Sequence, residues 1–261
     1  MRANARAHLD HLLFKQHDIN SRIEFIFVGP SGNDIELELF QNAIERVRRL
    51  TTLQIRILFG GASVYEAMNI GISHSKGHYI FFCGDTDSPL CDHLLSCIDT
   101  CASSCRRTNI RPILLGIVRR SGQLTKAYLP KITGFRLAIE RNPTHHQAIL
   151  YPAQVFHSLG FYSHDYRVLG DYEFHLRLRS RIYMNCPELC FVETNCVFCD
   201  FDDGGLSSTG RIGNYIESYN CKKPFLKAYL LPLALAFELF AFSWARIRRF
   251  TRIIITDRQA Y

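Results

Sequence analysis

Gly77-His78-Tyr79-Ile80-Phe81-Phe82-Cys83-Gly84-Asp85-Thr86-Asp87 is the stretch on which the fold turns. Tyr79 to Cys83 is a short apolar run of strand-forming side chains, and two carboxylates one residue apart follow it. A strand ending this way can place hard oxygen ligands in a crevice where Mg²⁺ or Mn²⁺ bridges to phosphate oxygens. Acidic pairs in loops are common and usually only solvated, so the meaning of Asp85 and Asp87 depends on their surroundings.

Upstream, Ile23 to Val28 reads as a buried strand, and Gly29-Pro30-Ser31-Gly32-Asn33-Asp34 is turn chemistry. Glu36 to Leu50 carries apolar residues at helical spacing, Gln54 to Phe59 is a second strand and Val64 to Ser75 a second helix. A further helix runs from about Pro89 to Cys105. This alternation predicts an α/β protein with a mostly parallel, Rossmann-like sheet and helices on both faces. Ligands in such sheets sit beyond the carboxyl ends of the strands, where the Gly29–Asp34 and Gly84–Asp87 loops fall. Farther on, strands are expected at Ile113–Arg119 and Gln123–Tyr128 around a Ser121-Gly122 turn. An apolar run at Ala148–Tyr151, a helix around Asp171–Arg181 and a strand at Leu189–Phe198 complete one domain, drawn over residues 1–220.

At 261 residues and 47% hydrophobic, the chain can bury one large core. Its net charge of +7 suits an anionic partner without naming it. A nucleic-acid role would rest on that charge alone, since no aromatic-basic motif accompanies it, and no nucleic-acid partner is expected. Ten cysteines and an opening Met1-Arg2-Ala3-Asn4-Ala5-Arg6 without an apolar run point to thiols in a reducing, cytoplasmic compartment. Cys97, Cys101 and Cys105 are spaced for one buried helix face. Cys186, Cys190, Cys196 and Cys199 could hold zinc, but their segment alternates like a strand instead of framing two knuckles.

Residues 221–261 form a helical tail of different character. Leu226 to Ala245 is nearly all apolar, interrupted by Lys227, Pro232 and Glu238, and bracketed by Lys222, Lys223, Arg246, Arg248, Arg249 and Arg252. With charges inside and an early proline it is a poor spanning helix. It reads as a helical hairpin or amphipathic helix on an anionic membrane surface, peripheral at the cytoplasmic face, with a core helix packed on the domain and a transmembrane span as the competing readings.

The ordered neighbours of the acidic pair carry a resemblance. Tyr65-Glu66-Ala67-Met68-Asn69-Ile70-Gly71-Ile72 followed by Gly77-His78-Tyr79-Ile80 resembles the family 2 glycosyltransferases, in which a Tyr-Asp-Ala-Met-Asn-x-Gly-Ile helix leads into the strand bearing the acidic motif. Thr144-His145-His146-Gln147-Ala148, Gly160-Phe161-Tyr162, Gly170-Asp171-Tyr172-Glu173-Phe174 and Phe201-Asp202-Asp203-Gly204-Gly205-Leu206-Ser207 look like later blocks of the same family, in the same order. The resemblance implies a GT-A fold and an inverting, metal-assisted transfer from a nucleotide-diphosphate sugar to a saccharide or lipid-linked acceptor, in cell-surface polysaccharide synthesis. It implies Asp87 and Asp85 as ligands of Mg²⁺ or Mn²⁺, and Asp171 as general base. Ser31, Asp34, Asn69 and Asp85 would lie on the donor side, and His146 and Gln147 near the pyrophosphate or acceptor. Asp171 would equally serve as a first-turn acid of its helix.

The sequence also departs from that family. Met1 to Asn20 reads as the helix that normally follows the family's first strand, so that strand is missing from the pattern. Gly29 and Gly61 stand where the family places aspartates, and Glu66 replaces the helix aspartate. These are losses from the nucleobase side, and they leave a second expectation, a non-catalytic nucleotide-sugar-binding or scaffold protein at the membrane.

Overall fold

The computed structural model describes residues 22–29, 42, 45, 54–84, 87–104, 111–184, 189–201 and 211–257. The strands are β1 (Glu24–Gly29), β2 (Gln54–Phe59), β3 (Tyr79–Ile80), β4 (Ser88–Pro89), β5 (Ile113–Arg120), β6 (Gln123–Lys126), β7 (Ile149–Pro152) and β8 (Phe191–Phe201). The helices are α1 (Val64–His74), α2 (Cys91–Ser104), α3 (Gly134–Ala138), α4 (Gln154–Leu159), α5 (Gly170–Tyr183), α6 (Ile212–Lys222) and α7 (Leu231–Asp257). Ser31, Asp34, Asp85, Cys105, Cys186, the helix expected over Met1–Asn20, most of that over Glu36–Leu50 and the glycine-rich loop after Phe201 lie outside the described residues.

β5 explains the layering. Ile113 and Leu115 join a core with Tyr65, Phe156, Phe174 and Leu178, while Leu114 between them packs with Leu94, Cys97, Cys101 and Phe198. Because successive strand side chains point to opposite faces, a strand apolar at every position must be covered twice. Helices α1, α4 and α5 cover one face and α2 the other, so helices flank the sheet on both sides as expected. Cys97 and Cys101 are the buried face of α2.

The strand-helix alternation of the first hundred residues produces the parallel β1–β2 pair, with Glu24 opposite Gln54 and Gly29 opposite Phe59. The second sheet runs β3-β7-β5-β8-β4, with β6 folded onto β5. Parallel pairing recurs at β5–β8, whereas β3, β4, β6 and β7 enter antiparallel. The β5–β6 return is made by Ser121 and Gly122, both at positive φ, as a two-residue hairpin requires. β3 is shorter than its apolar run: only Tyr79 and Ile80 pair, and residues 81–84 leave the ladder before the acidic loop.

Helix α1 has its own start signal. Ser63 Oγ accepts from the Glu66 amide at 3.2 Å, and Glu66 Oε2 accepts from the Ala62 amide at 2.6 Å, a reciprocal cap of two otherwise unpaired donors. Glu66, which departs from the family pattern, is thus employed at the helix entrance. Asn69, one turn on, is buried and spans to Tyr162: its Nδ2 donates to the Tyr162 carbonyl at 2.9 Å and its Oδ1 accepts from the Tyr162 amide at 3.0 Å.

A buried charge network fastens the C-terminal helices. Fully buried Arg179 of α5 donates to Glu140 at 2.5 and 3.1 Å and to the Pro130 carbonyl at 2.7 Å. Lys222 of α6, also fully buried, donates to Glu238 of α7 at 2.6 Å and to the carbonyls of Ala138 and Glu140, and Ser218 donates to the same Glu238 oxygen at 2.5 Å. Lys222, in the sequence one of the cations that bracket the apolar run, is thus fully buried and not part of a surface. The charge is internal, because Glu238 in the apolar run needs a partner once it is buried. Expected domain limits at 220 and 221 fall inside α6.

Removing one member of a buried ion pair strands the other, which costs about 3–5 kcal/mol, whereas replacing both with apolar residues is often near neutral. Urea unfolding of Lys222→Met should therefore show a loss of that order, and Lys222→Met combined with Glu238→Leu should recover most of it. His175, buried on α5, shares a 2.7 Å hydrogen bond between its Nε2 and the Tyr151 hydroxyl, and burial drives its pKa down to about 4. Between the unfolded histidine value of about 6.5 and that folded value the unfolded chain binds a proton that the folded chain does not. Stability is therefore intact above this window and falls as pH drops through it. Unfolding midpoints at neutral and mildly acid pH should show a smaller acid loss in His175→Gln than in the wild type.

Candidate functional site

Two carboxylates from distant segments are joined by a pair of adjacent side chains. His146 and Gln147 lie on the 3₁₀ turn His146–Ala148 that opens into β7. Gln147 Nε2 donates to Asp87 Oδ2 at 2.9 Å, while His146 Nδ1, as donor, reaches Asp171 Oδ2 at 3.3 Å. The turn thus holds the end of the β3 loop with one residue and the start of α5 with the other.

Asp87 is buried, and its Oδ2 also accepts from the Gly84 amide at 2.8 Å. The Asp87 amide in turn donates to the Gly84 carbonyl, closing a tight loop across residues 84–87. Asp171 sits in the first turn of α5, whose cap residue Leu169 makes no side-chain bond. Its Oδ1 accepts from the Tyr172 amide at 2.8 Å and the Tyr65 hydroxyl at 3.2 Å, and its Oδ2 accepts from Asn142 Nδ2 at 3.3 Å in addition to His146. Burial pushes the Asp171 carboxyl up, but the hydrogen bond from His146 and the field of the neighbouring histidines outweigh it. The pKa is held below the usual carboxylate value. The group is ionised at neutral pH and able to accept a proton. Beside it, the His145 ring lies 5.0 Å from that of Phe201, and burial lowers the His145 pKa.

Backbone geometry explains why Asp171 is where it is. A side chain on Gly170 would come within 2.7 Å of the Tyr65 ring, so glycine lets α5 start against α1. The turn feeding the helix is fixed by Glu217 of α6, which accepts from the amides of Arg167, Val168 and Leu169 at 3.1, 2.9 and 2.9 Å. Tyr65 also donates to the Val168 carbonyl at 2.7 Å.

Of the residues singled out from sequence, Asp87, Gln147, His146 and Asp171 are brought together. Asp85, Ser31 and Asp34 lie outside the described residues. Asn69, expected on the donor side, has both amide atoms engaged by the Tyr162 main chain. Tyr65, Asn142 and Glu217 were not singled out as site residues. Tyr65 opens the helix block that carried the family resemblance, whereas Asn142 and Glu217 act through contacts 29 and about 50 residues away in sequence, which no local pattern signals.

Gly61, one of the two glycines that stand where the resembled family places aspartates, has φ of 92°, and a Cβ there would lie 2.9 Å from the Ala67 amide nitrogen. The backbone has closed on α1, and the aspartate that the family places here has no room. Among the described residues no group of three or more His, Cys, Asp or Glu side chains could hold a metal. A Mg²⁺ site that uses one or two protein carboxylates, with waters and phosphates completing its shell, would not form such a group, and Asp87 is the described carboxylate of the acidic pair.

No family model and no curated protein matches the sequence. Solved structures do match. The chain is similar to S. aureus TarS 1–349 with a TM-score of 0.56 and 14% identity, covering 95% of this chain and 72% of that one. With S. aureus TarS 1–349 in complex with UDP-GlcNAc the TM-score is 0.57 at 14% identity, covering 90% and 69%. With a longer S. aureus TarS structure it is 0.53 at 13% identity, covering 83% of this chain but 38% of that one, so the chain spans well under half of that length. At such identities the likeness speaks for architecture, and the architecture it gives this chain is the GT-A fold: mixed α/β, with a curled sheet and a C-terminal helix.

Proposed function

We propose that the chain is a cytoplasmic glycosyltransferase of the family 2 kind. It would move a sugar from a nucleoside-diphosphate donor to a hydroxyl of a saccharide or lipid-linked acceptor, with inversion, in cell-surface polysaccharide synthesis. The observation that supports this most is the His146-Gln147 turn, which sets a proton-accepting carboxylate and a loop carboxylate on one site. The fold shared with TarS, solved in complex with UDP-GlcNAc and with UDP, supports a nucleotide-sugar donor.

In this reading the acceptor hydroxyl attacks the anomeric carbon as Asp171 takes its proton, and the bond from that carbon to the diphosphate oxygen breaks. His146, Asn142 and Tyr65 hold the Asp171 carboxylate ionised and aimed. Gln147 and the Gly84 amide orient Asp87, which with Asp85 would hold Mg²⁺ or Mn²⁺. When bound, the cation supplies Lewis-acid stabilisation of the charge on the departing diphosphate.

A second reading, nucleotide-sugar binding without turnover, draws on Gly61, where the backbone has closed over a family aspartate position. One experiment separates the two. Release of nucleoside diphosphate from a panel of nucleotide sugars should require Mg²⁺ or Mn²⁺ and stop with EDTA. Asp171→Asn should lower kcat by about 10²–10⁴-fold while leaving UDP affinity by calorimetry intact, and Asp87→Ala should weaken metal-dependent binding as well. Turnover that survives both substitutions would sink the mechanism, and binding without turnover across the panel would favour the second reading.

His146 also has a pH signature. It helps hold the Asp171 pKa down, so in His146→Gln that pKa rises and the base is protonated at higher pH. The acid limb of kcat/KM against pH should move upward in this variant; an unmoved limb argues against Asp171 as the group seen there.

A further inference from the structure

Among the described residues one helical segment, Ala228–Arg246, is long and apolar enough to cross a membrane, and only 11% of it is buried. Its two faces differ. Ala234 and Glu238 point into the protein, whereas Leu235, Leu239, Phe240 and Trp244 recur at helical spacing on the outside, with Tyr229 ahead of them in the preceding turn. Exposure reaches 72% at Tyr229 and 66% at Phe240, unusual for side chains of that size. Phe135 of α3 is exposed as well, beside Gly134, whose neighbour is Leu230.

The latch to α6 decides how such a helix can meet a bilayer. Glu238 lies in the middle of the apolar segment and is locked to Ser218 and Lys222 in the C-terminal half of α6. Crossing a membrane would tear this pair apart or carry α6 and its charges into hydrocarbon, so the helix is confined to lie flat. Charge then selects the partner. Lys223 and Lys227 are exposed before α7, Arg246 is exposed at the far end of the stripe, and the sequence continues with Arg248, Arg249 and Arg252. A second copy of the chain, stacked in either direction, would set cationic ends against cationic ends. Anionic head groups meet them favourably, and Tyr229 and Trp244, with apolar bodies and polar tips, suit the boundary between head groups and acyl chains.

We propose that the exposed face of α7 is an in-plane docking surface for an anionic lipid bilayer, the helix lying at the head-group boundary with Leu235, Leu239, Phe240 and Trp244 inserted and the flanking cations on the lipid phosphates. This placement stands independently of the transfer reading, because its test involves no sugar. Trp244 is the sole tryptophan in the sequence, so its fluorescence reports on the surface directly. The full chain is mixed with phosphatidylcholine vesicles with or without phosphatidylglycerol and assayed by flotation and by quenching from brominated lipids. Flotation should require the anionic lipid and weaken with salt. Trp244 emission should shift to the blue and be quenched by bromines near the head group more than by those near the bilayer centre. Phe240→Glu should lose binding by more than about tenfold, and Lys227→Gln with Arg246→Gln by roughly fivefold per charge, with far-UV circular dichroism unchanged because all three sites are exposed. Equal binding to neutral vesicles overturns the proposal. Resistance to carbonate extraction overturns it in favour of a spanning helix. Absence of vesicle binding, with a dimer in sedimentation analysis that Phe240→Glu dissolves, overturns it in favour of a second copy.

Discussion

An ionised carboxylate buried at the start of a helix is the constraint to which the surrounding structure answers. Burial acting alone would keep Asp171 protonated, and the fold prevents this by converging donors on it from separate places in the chain. Tyr65 comes from α1, Asn142 and His146 from the segment ahead of β7, and the Tyr172 amide from its own helix. Each donor needs its element at a fixed distance. Gly170 lets α1 approach, and Asn69 fastens α1 to the Tyr162 main chain, so the requirement of one charge propagates into the packing of two helices.

Much of the architecture is legible in the chain because periodicity reports burial. The uninterrupted Ile113-Leu114-Leu115 run announces a strand covered on both faces, and the four-residue spacing of Cys97 and Cys101 announces the helix face that covers one of them. Pairing direction is less legible. β7 and β4 are two to four residues long, and their antiparallel entry is decided by where the preceding loops deliver them. The third strand stops at Ile80 although its apolar run continues, because Phe81 and Phe82 pack as core side chains after the ladder has ended.

The site divides in the same way. Asp87, His146, Gln147 and Asp171 could be read from ordered motifs, since each lies in a short block with recognisable neighbours. Asn142 and Glu217 could not, because their roles consist of bonds to residues far away in sequence. Lys222 and Glu238 illustrate the opposite error. In the sequence they look like a surface cation and a flaw in an apolar helix, yet each is the reason that the other can be buried. Charge read along a line carries no sign of depth.

Glu217 makes the C-terminal segment something other than an appendage. Its carboxylate gathers three successive amides just ahead of Asp171, on the same helix whose far end grips α7 through Lys222. A chain cut short before α6 would leave those amides without their acceptor and the Asp171 helix with a loose entrance. Exchanging this segment for that of another chain would therefore change the support of the Asp171 helix along with the exposed face of α7.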